Sequence, residues 1–118
     1  MITAEVTRDR LQAGCVLAER FGALCVLEGS GTVIAAPGAT PRINPTGNAA
    51  LATAGTGDVL AGLLGAALAG PDNLSPVTLQ DRVAAAVFQH GWLADQWVLT
   101  HPQALSADRL AARIPPVA

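Results

Sequence analysis

Asn44-Pro45-Thr46-Gly47-Asn48, running on through Leu51-Ala52-Thr53-Ala54-Gly55-Thr56-Gly57-Asp58-Val59-Leu60-Ala61-Gly62, is the stretch on which the reading of this chain turns. Its first part is made of residues that break regular structure, Pro45, Gly47 and Asn48. Its last part opens an apolar period, Val59, Leu60, Leu63, Leu64, Ala67 and Leu68, spaced for one face of a helix. A glycine-rich turn therefore runs directly into the first turn of a helix. Free N–H groups and the positive end of the helix dipole converge at such a junction, which favours an anion such as phosphate. Gly55 and Gly57 keep side chains out of the path of a phosphate approaching the backbone. Asp58 has two chemically sound roles there. It can cap the helix N–H groups, or point into the cleft and take a proton from a substrate hydroxyl beside the phosphate.

Upstream of this junction, residues 23–27 form a short apolar run between Gly22 and Gly29, expected as a buried strand. Residues 32–36, β-branched at the start and stopped by Pro37-Gly38, are expected as a second strand, with residues 42–44 as a short third. Leu11, Cys15, Val16 and Leu17 give an amphipathic helix over residues 8–20 that ends near Gly22. Downstream, Gly70-Pro71 ends the central helix, residues 71–76 form a linker, and residues 77–98 read as a long helix. Val83, Val87, Phe88, Trp92 and Leu93 are its expected core positions. Ser106 begins a short capped helix over residues 106–110, closed by Pro115-Pro116. The elements add up to an α/β fold with a small mixed sheet packed by helices, a single domain over residues 1–118.

Composition narrows the classes of function. Hydrophobic residues make up 51% of the chain, but much of that is Ala, so the core is expected to be thin. Two Phe, two Trp and no Tyr give no platform for stacking bases, and a net charge of -2 gives no basic footprint, so nucleic acid is not an expected partner. Residues 49–69 are weakly polar but contain Asp58, Gly55 and Gly57, which argues against a membrane span. Cys15 and Cys25 have no His/Cys cluster at metal spacing, and residue 1 onward does not read as a signal peptide. Both thiols are expected as small buried hydrophobes of a cytoplasmic protein. His90 and His101 are expected to be structural, Trp92 and Trp97 to pack, and Arg109 and Arg113 to form a solvated face.

The extended pattern from Asn44 to Gly62 resembles the C-terminal signature of the NAD(P)H-hydrate dehydratases, a branch of the ribokinase-like superfamily. Leu27-Glu28-Gly29-Ser30-Gly31-Thr32-Val33-Ile34-Ala35 is similar to that family's nucleotide-contacting strand and loop, and His90-Gly91 and residues 105–110 to its closing helices. The resemblance implies a partial ribokinase-like fold. It also implies ADP- or ATP-dependent dehydration of hydrated NADH and NADPH, in which the added hydroxyl is phosphorylated and phosphate is eliminated. By position, Gly29, Ser30, Gly31, Thr32 and Gly57 would bind nucleotide, and Gly55, Thr56 and Gly57 would form an anion hole. Asp58 would be the catalytic base, and Asp58 and Asn48 would meet the substrate. Magnesium would arrive with the nucleotide, since nothing resembles a dedicated metal cage.

Two features depart from the family's pattern. It carries Lys where this chain has Glu28, whose carboxylate either faces the phosphates and repels them or points to solvent. The family's domain is also much longer, and its N-terminal half supplies further strands. A homo-oligomer or a partner chain completing the sheet is therefore expected. Two other functions fit the same residues: a ribokinase-like kinase for a small alcohol, which leaves phosphate on its product, and a non-catalytic truncated relative or assembly module.

Overall fold

The computed structural model describes residues 3–70 and 74–115. Helix α1 (Thr3–Arg8) leads into α2 (Arg10–Phe21), whose first turn is capped by Asp9 through Gln12 N–H and whose end is closed by Gly22 in the left-handed conformation. Strands β1 (Cys25–Leu27), β2 (Val33–Ala35) and β3 (Arg42–Ile43) follow. A 3-10 turn (Ala49–Leu51) precedes α3 (Thr56–Leu68), α4 (Pro76–Thr100) and α5 (Ala107–Ala112). The expected linker begins at Pro71, and residues 71–73 lie outside the described set, as does Pro116.

The three strands lie in the order β1-β2-β3 with both ladders antiparallel, Val26 opposite Ile34 and Ile34 opposite Arg42. The expectation of a mixed sheet is corrected here. Each strand connects to the next by a short turn, and a short turn can only reverse the chain. All three residues of β2 are buried because both of its faces are covered. Helix α2 lies on the face of Val33 and Ala35, where Gly14 lets the helix approach so closely that a Cβ there would stand 3.1 Å from Val33 Cγ1. Ile34 points the other way into a cluster with Leu60 of α3 and Val83 and Val87 of α4. Gln80 of α4, 2% exposed, donates to the carbonyls of Ile34 and Thr40 at 3.0 and 2.9 Å, which ties α4 to the sheet.

A second cluster, Leu93, Ala94, Trp97, Leu105 and Leu110, packs the far end of α4 against α5. Two small clusters thus lie along one long helix, and Ala13, Ala18, Val33, Ala35 and Ala36 are buried besides them; the core is thin, as the Ala-rich composition leads one to expect. Two expected core positions of α4 are not buried. Phe88 and Trp92 are each 46% exposed, because the α3 and α5 partners reach only the Val87, Leu93 and Trp97 side of α4. On α2 the buried positions are Ala13, Gly14 and Ala18, where small side chains admit the sheet, while Leu11 is exposed. Arg109 and Arg113 are exposed, as expected, and also pack on Trp97. Both guanidinium groups lie over the Trp97 ring, at 5.7 and 5.1 Å from its centroid, and His101 stacks on that indole at 3.9 Å.

Candidate anion site at the start of α3

Gly55 caps α3 with φ 90, a conformation open to glycine, and α5 closes over it so that a Cβ there would stand 3.0 Å from the Ala107 Cβ. Thr56 is buried, with its hydroxyl aimed at the carbonyls of Leu51 and Thr53 at 2.6 and 3.0 Å. Its N–H reaches Thr53 O at 3.3 Å, so Thr56 anchors the turn rather than offering donors to solvent. The buried His90 of α4 donates from Nε2 to Thr56 O at 2.9 Å, a contact that fixes its tautomer because a carbonyl can only accept. Past that anchor, the N–H groups of Gly57 and Asp58 find no acceptor among the described residues, as the geometry of a helix start requires. Asp58 is exposed and its carboxylate makes no hydrogen bond or ion pair among the described residues. Capping is therefore not what Asp58 does in this structure.

Helix α4 also holds the preceding loop. Thr46 Oγ1 donates toward Phe88 O at 2.9 Å, Gly47 N–H to Asp95 Oδ2 at 3.0 Å and Asn48 Nδ2 to Asp95 Oδ1 at 2.9 Å. Asn48 Oδ1 accepts from Ala50 N–H at 2.8 Å and so caps the 3-10 turn. Both ends of the Asn48 amide are thus engaged, Oδ1 within the loop and Nδ2 on α4. Gly91 permits the approach, for a Cβ there would stand 2.7 Å from Thr46 C and 2.8 Å from Gly47 N. Gly91 and Asp95 escaped the sequence reading as site residues. A glycine inside a long helix was the available signal.

The loop after β1 lies beside this helix start. Glu28 Oε1 stands 3.6 Å from where a Cβ on Gly57 would be, so its carboxylate faces the anion site rather than pointing away from it. Gly31 has φ 69, Thr32 Oγ1 donates to Gly29 O at 3.1 Å, and Thr32 is buried. The Ser30 side chain is exposed and makes no hydrogen bond among the described residues. Arg10, which the sequence reading passed over, sends its guanidinium from α2 to the carbonyls of Leu27 at 2.8 Å, Glu28 at 3.1 Å, Ser30 at 2.8 Å and Gly31 at 3.4 Å.

The two glycine-containing segments therefore meet where Glu28 faces Gly57; Glu28, Gly29, Ser30, Gly57 and Asp58 are exposed, Thr32 and Thr56 are buried, and Asn48 holds the preceding loop through Asp95 and Ala50. Two cavities of about 690 and 630 Å³ lie elsewhere, one beside Trp97 and α5 and one between α3 and α4. Among the described residues no group of three His, Cys, Asp or Glu side chains is placed to hold a metal, and no helix is long and apolar enough to cross a membrane. Cys15 and Cys25 are free and half-buried. Burial, and then the neighbouring Cys15, raise the pKa of the Cys25 thiol above 9.0.

A glycine-rich helix start with unused N–H groups, with a second glycine loop alongside it, is an arrangement in an α/β protein that suits an anion such as phosphate. The family model described as NAD(P)H-hydrate dehydratase matches residues 1–116, and the chain belongs to that family. It is 38% identical over 98% of its length to the ADP-dependent (S)-NAD(P)H-hydrate dehydratase of Neisseria meningitidis, of which it covers 36%. It is 42% identical over 78% of its length to the bifunctional NAD(P)H-hydrate repair enzyme of Escherichia coli, of which it covers 17%. The ADP/ATP-dependent NAD(P)H-hydrate dehydratase of Bacillus subtilis, co-crystallised with ATP and magnesium, superposes with a TM-score of 0.79 at 34% identity over 92% of this chain and 38% of that one. The chain spans well under half the length of these relatives.

Proposed function

We propose that the surface formed by residues 28–32 and the start of α3 binds the phosphates of ADP or ATP, as part of a site that dehydrates hydrated NADH or NADPH. The observation that carries this reading is the pair of unused N–H groups at Gly57 and Asp58, with no side chain at 57 to obstruct them. The substrate's added hydroxyl loses its proton to Asp58, whose carboxylate is free to accept it, and takes the phosphoryl group from the nucleotide. The helix start steadies the charge on that group; the C–O bond then breaks, phosphate leaves with its electron pair, and loss of a proton from the neighbouring ring carbon forms the double bond that restores the ring. Ser30 has a free hydroxyl to offer the nucleotide, and Thr32 shapes the loop through Gly29 O. Asn48 acts through the loop it caps, which is how it bears on the substrate side. Magnesium would enter on the nucleotide's own phosphates, with Glu28 and Asp58 as the nearby carboxylates.

Glu28 repels phosphate from this position, so removing its charge strengthens binding. The test is calorimetric titration with ADP and with ATP in magnesium. Expected are binding by the unaltered chain, tighter binding by Glu28→Lys, and loss of binding in Gly57→Val without loss of Tm, since Gly57 has an ordinary helical φ. Binding unchanged in Gly57→Val would sink the site. A stable phosphorylated product would favour the small-molecule kinase instead.

One observation supports a completing chain. The outer edge of β1 is unpaired among the described residues, and β1 is only half-buried while β2 is fully buried. A second copy or a partner chain pairs along that edge and supplies the rest of the substrate pocket, in the cytoplasm where both thiols stay reduced. Sedimentation that finds only a monomer over the whole accessible concentration range removes the homo-oligomer.

A further inference from the structure

We infer that Arg10 is a positioning residue for nucleotide binding: its guanidinium, reaching from α2, gathers the carbonyls of Leu27, Glu28, Ser30 and Gly31 and so sets the loop that faces Gly57. The assignment rests on the nucleotide reading given above. Four carbonyl oxygens pointing at one centre repel each other, and a loop with that geometry needs a cation at its middle. A planar fork meets the need, since Nη1 serves Ser30 and Gly31 while Nη2 serves Leu27 and Glu28. With its carbonyls turned inward to Arg10, the loop turns its remaining groups outward, among them the exposed Ser30 side chain and the Glu28 carboxylate beside Gly57.

The same contact gives a reason for glycine at position 29. A Cβ there would stand 2.9 Å from Nη2 and 3.2 Å from Cζ of Arg10, and the φ of 151 is one that side chains avoid. Gly29 is required by the Arg10 clasp, whether or not a phosphate approaches it. The clasp connects α2, which carries no other group of the site, to the α3 helix start by way of Glu28. It also lies outside the extended pattern around Asp58, as the spacing of 20 residues from Arg10 to Ser30 makes plain.

Calorimetric titration of the full chain with ADP in magnesium separates positioning from folding, because it returns a dissociation constant and a stoichiometry. A merely structural role lowers the binding-competent fraction and leaves the constant of the remainder unchanged. Positioning raises the constant at full stoichiometry. For Arg10→Ala the expected rise is about tenfold, the worth of one charge-assisted hydrogen bond. Arg10→Lys, a point charge that cannot span both pairs of carbonyls, is expected to lose about threefold. Added guanidinium ion is expected to restore Arg10→Ala in part and leave the unaltered chain as it was. If Arg10→Ala does not fold, the Lys variant carries the test alone. An unchanged constant in the folded variants overturns the assignment, as does a loss that neither Lys nor guanidinium relieves. Absence of ADP binding in the unaltered chain overturns the nucleotide reading itself, and the assignment with it.

Discussion

Replacing Gly91 by Ala tests whether α4 fixes the loop that leads into the site. Inside a helix Ala is favoured over Gly by about 1 kcal/mol, so the local rule has the substitution stabilising. The tertiary contacts oppose it. A Cβ at position 91 would stand 2.3 Å from Thr46 Oγ1, 2.7 Å from Thr46 C and 2.8 Å from Gly47 N. The hydroxyl can rotate away, but the two backbone atoms move only if the loop leaves the helix. Overpacking of this kind costs about 2 kcal/mol. Displacing the loop also weakens the 3.0 Å bond from Gly47 N–H to the Asp95 carboxylate, for about 2 kcal/mol more. The net is about 3 kcal/mol of destabilisation after the propensity gain, or roughly a 12 °C fall in Tm for a chain of this size. Thermal unfolding followed by circular dichroism measures it. Gly62→Ala and Gly65→Ala serve as controls: nothing lies within 4 Å of a Cβ at either position, so each is expected to raise Tm by a few degrees. A Tm for Gly91→Ala equal to or above that of the unaltered chain would refute the reasoning.

Gln80→Leu leaves the carbonyls of Ile34 and Thr40 without their donor and is expected to cost about 2 kcal/mol in urea unfolding, with little change if those carbonyls find water. The Ser106 hydroxyl, 2.6 Å from Asp108, holds that carboxyl below its ordinary 3.8. The ionised form is favoured in the folded state, so its contribution is present above pH 3.8 and is lost as pH falls through the lower folded value. The stability gap between the unaltered chain and Ser106→Ala should therefore narrow below that pH in acid unfolding; a gap that widens there would contradict it. Cys25 behaves in the opposite sense. Its folded pKa is raised above 9.0 by burial and by Cys15, so stability is full below that pH and falls as pH rises through the folded value. Cys25→Ser should lack this alkaline loss, as read by thermal unfolding across a pH series.

What the sequence by itself determined was local: the glycine-rich turn running into an apolar helical face, and the order of strands and helices from α2 onward. These are legible because turn chemistry, helix periodicity and backbone donors at a helix start act over a few residues. Tertiary structure decided how each residue is used. Asp58 could cap or face the cleft on sequence grounds, and the anchoring of Thr56 by His90 leaves it uncapping and free. Glu28 could face either way until the β1–β2 loop was laid against α3. Arg10, Gly91 and Asp95 act on loops 17 to 48 residues distant, and no local pattern encodes such pairings. Phe88 and Trp92 fit the core period of α4 yet stay exposed, because period says which side of a helix is apolar and only packing says how far its partners reach.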